Sequence, residues 1–223
     1  MSNSNIVPAR LWLVRHGQTD WNAERRIQGH TPTELNVVGR RQAEVLAQWF
    51  SAQSMAAIWS SDLPRAMQTA QAIAAHQSCA ITATPELRER DLGAFEGKTW
   101  NEVRAIKADL TCNNANNGDL ADWTGIPGVE SDQQLWQRIR KTLDFMADTY
   151  RGKNVLAVTH GGVLKHVVWH ILGLPAVAPR RFTLANGLTV VLEKRGADFY
   201  LLSLLDIELL MGRAASADTA ASA

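Results

Sequence analysis

The sequence predicts a single layered α/β domain with a mostly parallel central sheet flanked by helices. Three observations carry that expectation. Short apolar runs at 10–15, 56–59 and 155–158 alternate with longer stretches of helical periodicity, the order that builds a parallel sheet with helices on its faces. Two of the three runs end alike, in Arg15-His16-Gly17 and Thr159-His160-Gly161, so a histidine stands at each strand-to-loop turn. The 223 residues are 46% hydrophobic and 20% charged, ordinary globular usage in a chain long enough to bury a core without disulfide or metal staples.

The elements follow in order. The run 10–15 is apolar between charged ends, the pattern of a strand covered on both faces. Asn36 or a neighbour caps a helix in which Ala43, Leu46, Ala47 and Phe50 recur at helical spacing up to about Ala52. After the strand at 56–59, Ser60-Ser61-Asp62 reads as a turn that supplies cap residues, and a helix starts near Leu63 or Pro64 with Ala66, Ala70, Ile73 and Ala74 inward. Thr99 and Glu102 have the spacing of a capping box. Residues 110–128, with Asn at 113, 114, 116 and 117, read as a loop or lid. Periodicity resumes over 131–150 through Leu135, Ile139, Leu143 and Met146, and the strand at 155–158 leads into an apolar helix over 163–172. Residues 189–192 and 200–204, split by Arg195-Gly196-Ala197-Asp198, read as a terminal hairpin. The domain is expected to span 10–210, between a flexible N-terminus at 1–9 and a disordered tail at 211–223.

Charge and composition exclude several classes of function. Lys plus Arg number 23 and Asp plus Glu 22, so the net charge of +1 offers no field to hold a polyanion, and nucleic acid is not an expected partner. No run approaches 18 apolar residues and the first residues carry no signal pattern, which predicts a cytoplasmic protein without a membrane partner. Cys79 and Cys112 stand in unrelated contexts and suggest neither a disulfide nor a metal site. A monomer or a homodimer is expected.

Parallel neighbours bring strand ends to one crevice, so Arg15, His16 and His160 should meet there, with Arg65 reaching in from the first turn of the helix after the second strand. Two guanidinium groups and two imidazoles make an oxyanion site. They exceed what one carboxylate can satisfy and match the oxygens of a phosphate. Cationic neighbours also disfavour the protonated form of His16, which keeps a lone pair available as a nucleophile, while the second histidine can stay protonated by facing a phosphate dianion. On its own an Arg-His pair at a strand end is more often structural than catalytic. The residues around it decide the matter.

Arg15-His16-Gly17-Gln18-Thr19-Asp20-Trp21-Asn22 resembles the R-H-G-x-[ST]-x-x-N signature of the histidine phosphatase superfamily, also called the phosphoglycerate mutase-like family. Gln28-Gly29, Leu35, Gly39 and Gln42-Ala43 follow in the family's register. Ser60-Ser61-Asp62-Leu63-Pro64-Arg65-Ala66 resembles its S-S-D-L-x-R-A block, and Leu87-Arg88-Glu89 with Gly93, Glu96 and Gly97 its L-x-E-x-x-x-G-x-x-E-G block. Pro127-Gly128-Val129-Glu130-Ser131 is close to P-G-G-E-S, and Val158-Thr159-His160-Gly161-Gly162 to V-[ST]-H-G-G. The resemblance implies a phosphoglycerate mutase-like fold and a phosphohistidine at His16. It further implies Arg15, Arg65 and His160 as a phosphate clamp, Glu89 as the proton donor, and Asn22, Gln28, Gly29 and Gly161 facing the substrate. It implies no cofactor and no metal, with a small phosphorylated metabolite as substrate. The chain departs from the family at Pro32-Thr33-Glu34-Leu35-Asn36 and at Val129.

Two motifs are decoys. Gly93-Ala94-Phe95-Glu96-Gly97-Lys98-Thr99 resembles a P-loop but has three residues between its glycines where phosphate wrapping needs four. His166 and His170 have the i,i+4 spacing of paired metal ligands without the Glu of a metalloprotease helix. Arg25-Arg26 reads as a solvated face, and Trp21, Trp100 and Trp123 as packing or an apolar rim. Within the family the reading is a metal-independent phosphomonoester hydrolase. The alternatives are a phosphoglycerate mutase and a non-catalytic phospholigand binder. Arg104 is the single Arg between Thr99 and Glu130, and so Arg-poor a segment argues against a bisphosphate-holding mutase.

Overall fold

A computed structural model describes residues 7–111, 123, 126–174, 182–206, 209 and 212. Strand β1 (Arg10–Arg15) is buried on both faces because Leu11 and Leu13 point to one side and Trp12 and Val14 to the other. Three strands run parallel with it in the sheet: β2 (Ala57–Ser61), β3 (Ile81–Thr84) and β4 (Asn154–Thr159). The hairpin of β5 (Thr189–Arg195) and β6 (Asp198–Leu205) adds two antiparallel strands on the far side of β1, giving the order β3-β2-β4-β1-β5-β6.

Helices cover both faces. Short α1 (Asp20–Ala23) follows β1, and α2 (Val37–Ser51) and α3 (Pro64–Ala74) set Leu46, Phe50, Ala66, Ala70 and Ile73 against Trp12, Val14, Ile58 and Val158. On the other face α5 (Asp132–Thr149) and α6 (Gly161–Ile171) set Leu135, Ile139, Leu143, Val163 and Val167 against Leu11, Leu13, Val155 and Ala157. A third, smaller apolar cluster of Ile27, Leu92, Phe95, Val103 and Trp123 forms beside α4 (Trp100–Thr111), away from the sheet. Truncating any of the large central residues to Ala should cost about 2–5 kcal/mol.

The caps obey the sequence with one exception. Asn36 Oδ1 accepts from Gly39 N at 2.9 Å, Ser131 and Gln134 form a capping box, and Thr99 and Glu102 pair reciprocally. The exception is α3. Strand β2 continues through Ser61, and the N-cap is Leu63 without a side-chain bond, so the expected turn at 60–62 is partly strand. The pull is long-range, since Ser60 and Ser61 pair with Ala83 and Thr84 of β3. Helix α4 likewise runs to Thr111, into the stretch read as loop, whose residues 112–122 lie outside the described ones. So do Cys112, residues 1–6 and nearly all of the expected tail. Ala9, expected in a free N-terminus, is buried. Among the described residues no helix is long and apolar enough to cross a membrane.

The register fixes where chemistry can happen. Arg15 pairs with Thr159, so His16 and His160 emerge side by side at the carboxyl ends of β1 and β4.

Candidate active site

The two imidazoles lie 5.0 Å apart between centroids, inclined at 61°. His16 is 3% exposed, and its Nδ1 lies 2.6 Å from the carbonyl of Gly17. A carbonyl only accepts, so Nδ1 carries the hydrogen and Nε2 keeps the lone pair. Burial, reinforced by the guanidinium groups of Arg65 and Arg15, pushes the His16 pKa well below the ordinary histidine value. Asn186 Nδ2 donates to the His16 carbonyl at 2.9 Å, and Gly17 N donates to Thr69 Oγ1 at 3.1 Å, which fixes the turn.

His160 differs from the expectation. Its Nδ1 accepts from Arg65 Nε at 3.2 Å, so Nε2 carries the hydrogen and donates to Ser61 Oγ at 2.8 Å. Burial first, then Arg65, pushes its pKa well below the ordinary value too, so the ring is neutral in this arrangement. It stands one layer behind the wall of the cleft, fully buried, between Arg65 and Ser61.

The other predicted residues line one cleft of roughly 260 Å³: Arg15, His16, Asn22, Gln28, Gly29, Arg65, Glu89 and Gly161. Arg65 is 0% exposed, and burial lowers its pKa to about 10, still charged at neutral pH. Besides His160 it donates from Nη1 to Thr31 O at 2.8 Å and Thr33 Oγ1 at 3.2 Å, and from Nη2 to Gly29 O at 2.8 Å. Of its five donors one Nη2 hydrogen is left for a ligand. Arg15 donates to Leu184 O from Nη1, while its buried Nε has no hydrogen-bond partner among the described residues. An unpaired buried N–H costs about 1–3 kcal/mol, so Nε is poised to receive an acceptor. Asn22 Oδ1 takes hydrogens from Thr19 N and Asn186 Nδ2, and Gln28 Oε1 takes those of Thr19 and Thr33, which leaves both side-chain NH₂ groups as donors toward the cleft.

Glu89 is held by backbone. Its Oε2 accepts from Gly162 N at 2.8 Å and its Oε1 from Arg90 N at 2.9 Å. Behind it Arg138 donates to the carbonyls of Glu86, Arg88 and Glu89 at 2.7, 2.8 and 3.0 Å and grips Glu130 with both Nε and Nη2. The two glycines let these side chains approach the backbone closely. A Cβ at Gly161 would lie 2.9 Å from Arg15 Nε, and one at Gly162 2.3 Å from Glu89 Oε1. Glu96 supports the opposite wall by accepting from His30 N at 2.8 Å and from Thr31 N at 2.9 Å.

Sequence reasoning missed Arg138, Glu96, Gly162, Ser61 and Asn186. Arg138 did leave a signal, for it shares the inward stripe of α5 with Leu135 and Thr142, where an unpaired charge would be costly. The decoys have other lives. Gly93–Phe95 is a 3₁₀ turn, not a loop leaving a buried strand. His166 and His170 touch at 3.0 Å between Nε2 atoms, and Trp136 stacks on His170 at 4.1 Å. Among the described residues no group of three or more His, Cys, Asp or Glu could hold a metal. Arg26, read as solvated, lines the cleft, and so do Trp100 and Trp123.

Comparison with known proteins gives a consistent result. Residues 11–207 match the family model of the histidine phosphatase superfamily (branch 1). Over 165 residues the chain is 40% identical to a protein of Arabidopsis thaliana named phosphoglycerate mutase-like protein 4, covering 73% of this chain and 71% of that one. Its structure is similar to that of mycobacterial glucosyl-3-phosphoglycerate phosphatase solved with VO3, with a TM-score of 0.75 and 28% identity over 87% of this chain and 97% of that one. It is also similar to a variant of phosphoserine phosphatase from Entamoeba histolytica in complex with phosphoserine, with a TM-score of 0.72 and 27% identity over 89% and 98% of the two chains.

Proposed function

Because the chain belongs to branch 1 of the histidine phosphatase superfamily, we propose that it hydrolyses the phosphomonoester of a small phosphorylated metabolite through a phosphohistidine at His16. The observation that carries this reading is the His16 tautomer. With Nδ1–H given to Gly17 O, the free lone pair is on Nε2 of a buried, neutral ring in a cleft whose other wall holds Glu89. The Nε of Arg15, unpaired among the described residues, the remaining hydrogen of Arg65 and the amides of Asn22 and Gln28 supply donors for three phosphate oxygens. His160 serves this clamp by holding Arg65 Nε.

Hydrolysis takes two displacements at phosphorus. Nε2 of His16 forms the N–P bond while the ester P–O bond breaks, and Glu89 gives its proton to the departing alkoxide. The resulting carboxylate takes a proton from water, whose oxygen attacks phosphorus, and the N–P bond breaks to release phosphate. Fixed cations do the electrostatic work in this scheme, so activity should survive a chelator. Loss in chelator with recovery on adding Mg²⁺ or Zn²⁺ would oppose it.

A second reading is phosphoglycerate mutation, which the name of the Arabidopsis relative favours. A mutase must keep water from phosphohistidine until its product recaptures the phosphoryl group. The deciding experiment incubates the protein with 3-phosphoglycerate and a trace of 2,3-bisphosphoglycerate. Little 2-phosphoglycerate beside faster release of phosphate from a general phosphomonoester, suppressed in Glu89→Gln, supports the hydrolase. Rapid 2-phosphoglycerate formation with negligible phosphate release reverses the assignment.

A further inference from the structure

The cleft has an outer half that the transfer of a phosphoryl group does not use. Beyond His16 and Arg65 its walls are Ile27, Leu92, Trp100 and Trp123. Trp123 is 5% exposed and fixed on three sides: Phe95 meets it edge-on at 5.3 Å, Trp100 is tilted against it at 6.4 Å, and Lys107 Nζ lies 4.1 Å above its ring. Trp100, by contrast, remains 39% exposed at the mouth. Ile27, Leu92 and Trp123 belong to the apolar cluster that stands apart from both faces of the sheet, so this wall is not an outcrop of the main core.

Three cations, Arg26, Arg90 and Lys165, line the same cleft. Arg26 gives Nε to Glu24 at 2.6 Å and Nη1 to Gly97 O at 2.9 Å, and Arg90 holds Asp132 and the carbonyl of Glu130. Each guanidinium is thus tied to the protein through two of its three nitrogens. What this half offers is a rigid aromatic surface ending in a half-exposed indole.

We propose that the outer half is a leaving-group subsite for a planar apolar alcohol, so that the enzyme favours phosphomonoesters whose alcohol carries an aromatic ring. The inference rests on the hydrolase reading above. The ring lies along Trp100 and Trp123 while the phosphate reaches His16.

Aryl phosphates would give a false positive, because phenoxide leaves more readily than an alkoxide. The test therefore compares 2-phenylethyl phosphate with ethyl phosphate, both esters of simple alkanols of similar leaving ability. The kcat/KM ratio should favour the phenylethyl ester by about tenfold or more, the scale of one aromatic contact plus the apolar area it covers. Trp100→Ala should collapse that ratio toward one, and Trp100→Phe should retain most of it. A ratio near one in the unaltered protein, with turnover lost in His16→Ala, overturns the subsite and leaves the hydrolase standing. So does a ratio that Trp100→Ala leaves in place. Hydrolysis of neither ester overturns both.

Discussion

Gly162→Ala should separate the placement of Glu89 from the stability of the fold. A Cβ at this position would lie 2.3 Å from Glu89 Oε1 and 2.9 Å from its carboxyl carbon, against an ordinary contact that begins at 3.4 Å. The carboxylate must therefore retreat by about 1 Å, and a misplacement of that size in reacting groups can cost about a hundredfold in rate. Stability should respond differently. Gly162 is exposed, lies in the first turn of α6 and has no positive φ, so alanine fits its backbone. The reduced entropy of the unfolded chain favours the variant by up to about 1 kcal/mol, against the loss of one hydrogen bond to Glu89 of similar size. The expected result is a kcat/KM on a general phosphomonoester lowered about a hundredfold with Tm within a few degrees of the parent. Full activity would show that the perch of Glu89 on Gly162 is immaterial. A large fall in Tm would show that backbone, not the carboxylate, absorbs the clash. Either result refutes the reasoning.

Three other outcomes follow from the same geometry. Gly161→Ala drives a Cβ to 2.9 Å from Arg15 Nε and 3.1 Å from Cζ, so vanadate affinity should fall about tenfold; unchanged affinity would remove Arg15 from the clamp. Arg138→Ala leaves Glu130, only 14% exposed in its side chain, without its partner and frees the carbonyls of Glu86, Arg88 and Glu89. It should lose about 3 kcal/mol in denaturant unfolding, and adding Glu130→Gln should return part of the stability without the rate. Because the folded pKa values of His16 and His160 are depressed, the unfolded chain takes up protons first as pH falls. Stability should be full above about pH 6.5 and decline below it by at most about 1.4 kcal/mol per pH unit for each histidine, and His16→Asn should flatten the slope. Equal stability at neutral and mildly acid pH would contradict the buried neutral pair.

Much of this was legible in the chain because its signals are local. Leu11 to Val14 read as a doubly covered strand since both faces of β1 are buried, and Asn36, Thr99 and Ser131 cap helices through bonds spanning three residues. Strand β3 was missed because Ile81-Thr82-Ala83-Thr84 is a half-exposed edge, held by pairing with β2 and not by an apolar pattern of its own. The motif residues other than His160 line one cleft, but the division of labour among them did not show. His160 looked equivalent to His16, both at strand ends, and only the bonds to Arg65 and Ser61 set it a layer back. Arg138 and Glu96 act on backbone groups far away in sequence, as in the 49-residue separation of Arg138 from Glu89, and no local periodicity encodes such a contact.

The most direct measurement is the site of covalent phosphate. After brief mixing with a labelled phosphomonoester and a quench that avoids acid, the label should reside on the peptide containing His16. As a phosphoramidate it should survive alkali and vanish in acid, and it should accumulate in Glu89→Gln if water attack is slowed more than transfer. Label on Ser, Thr or Asp, or undiminished turnover by His16→Ala, would contradict the phosphohistidine route.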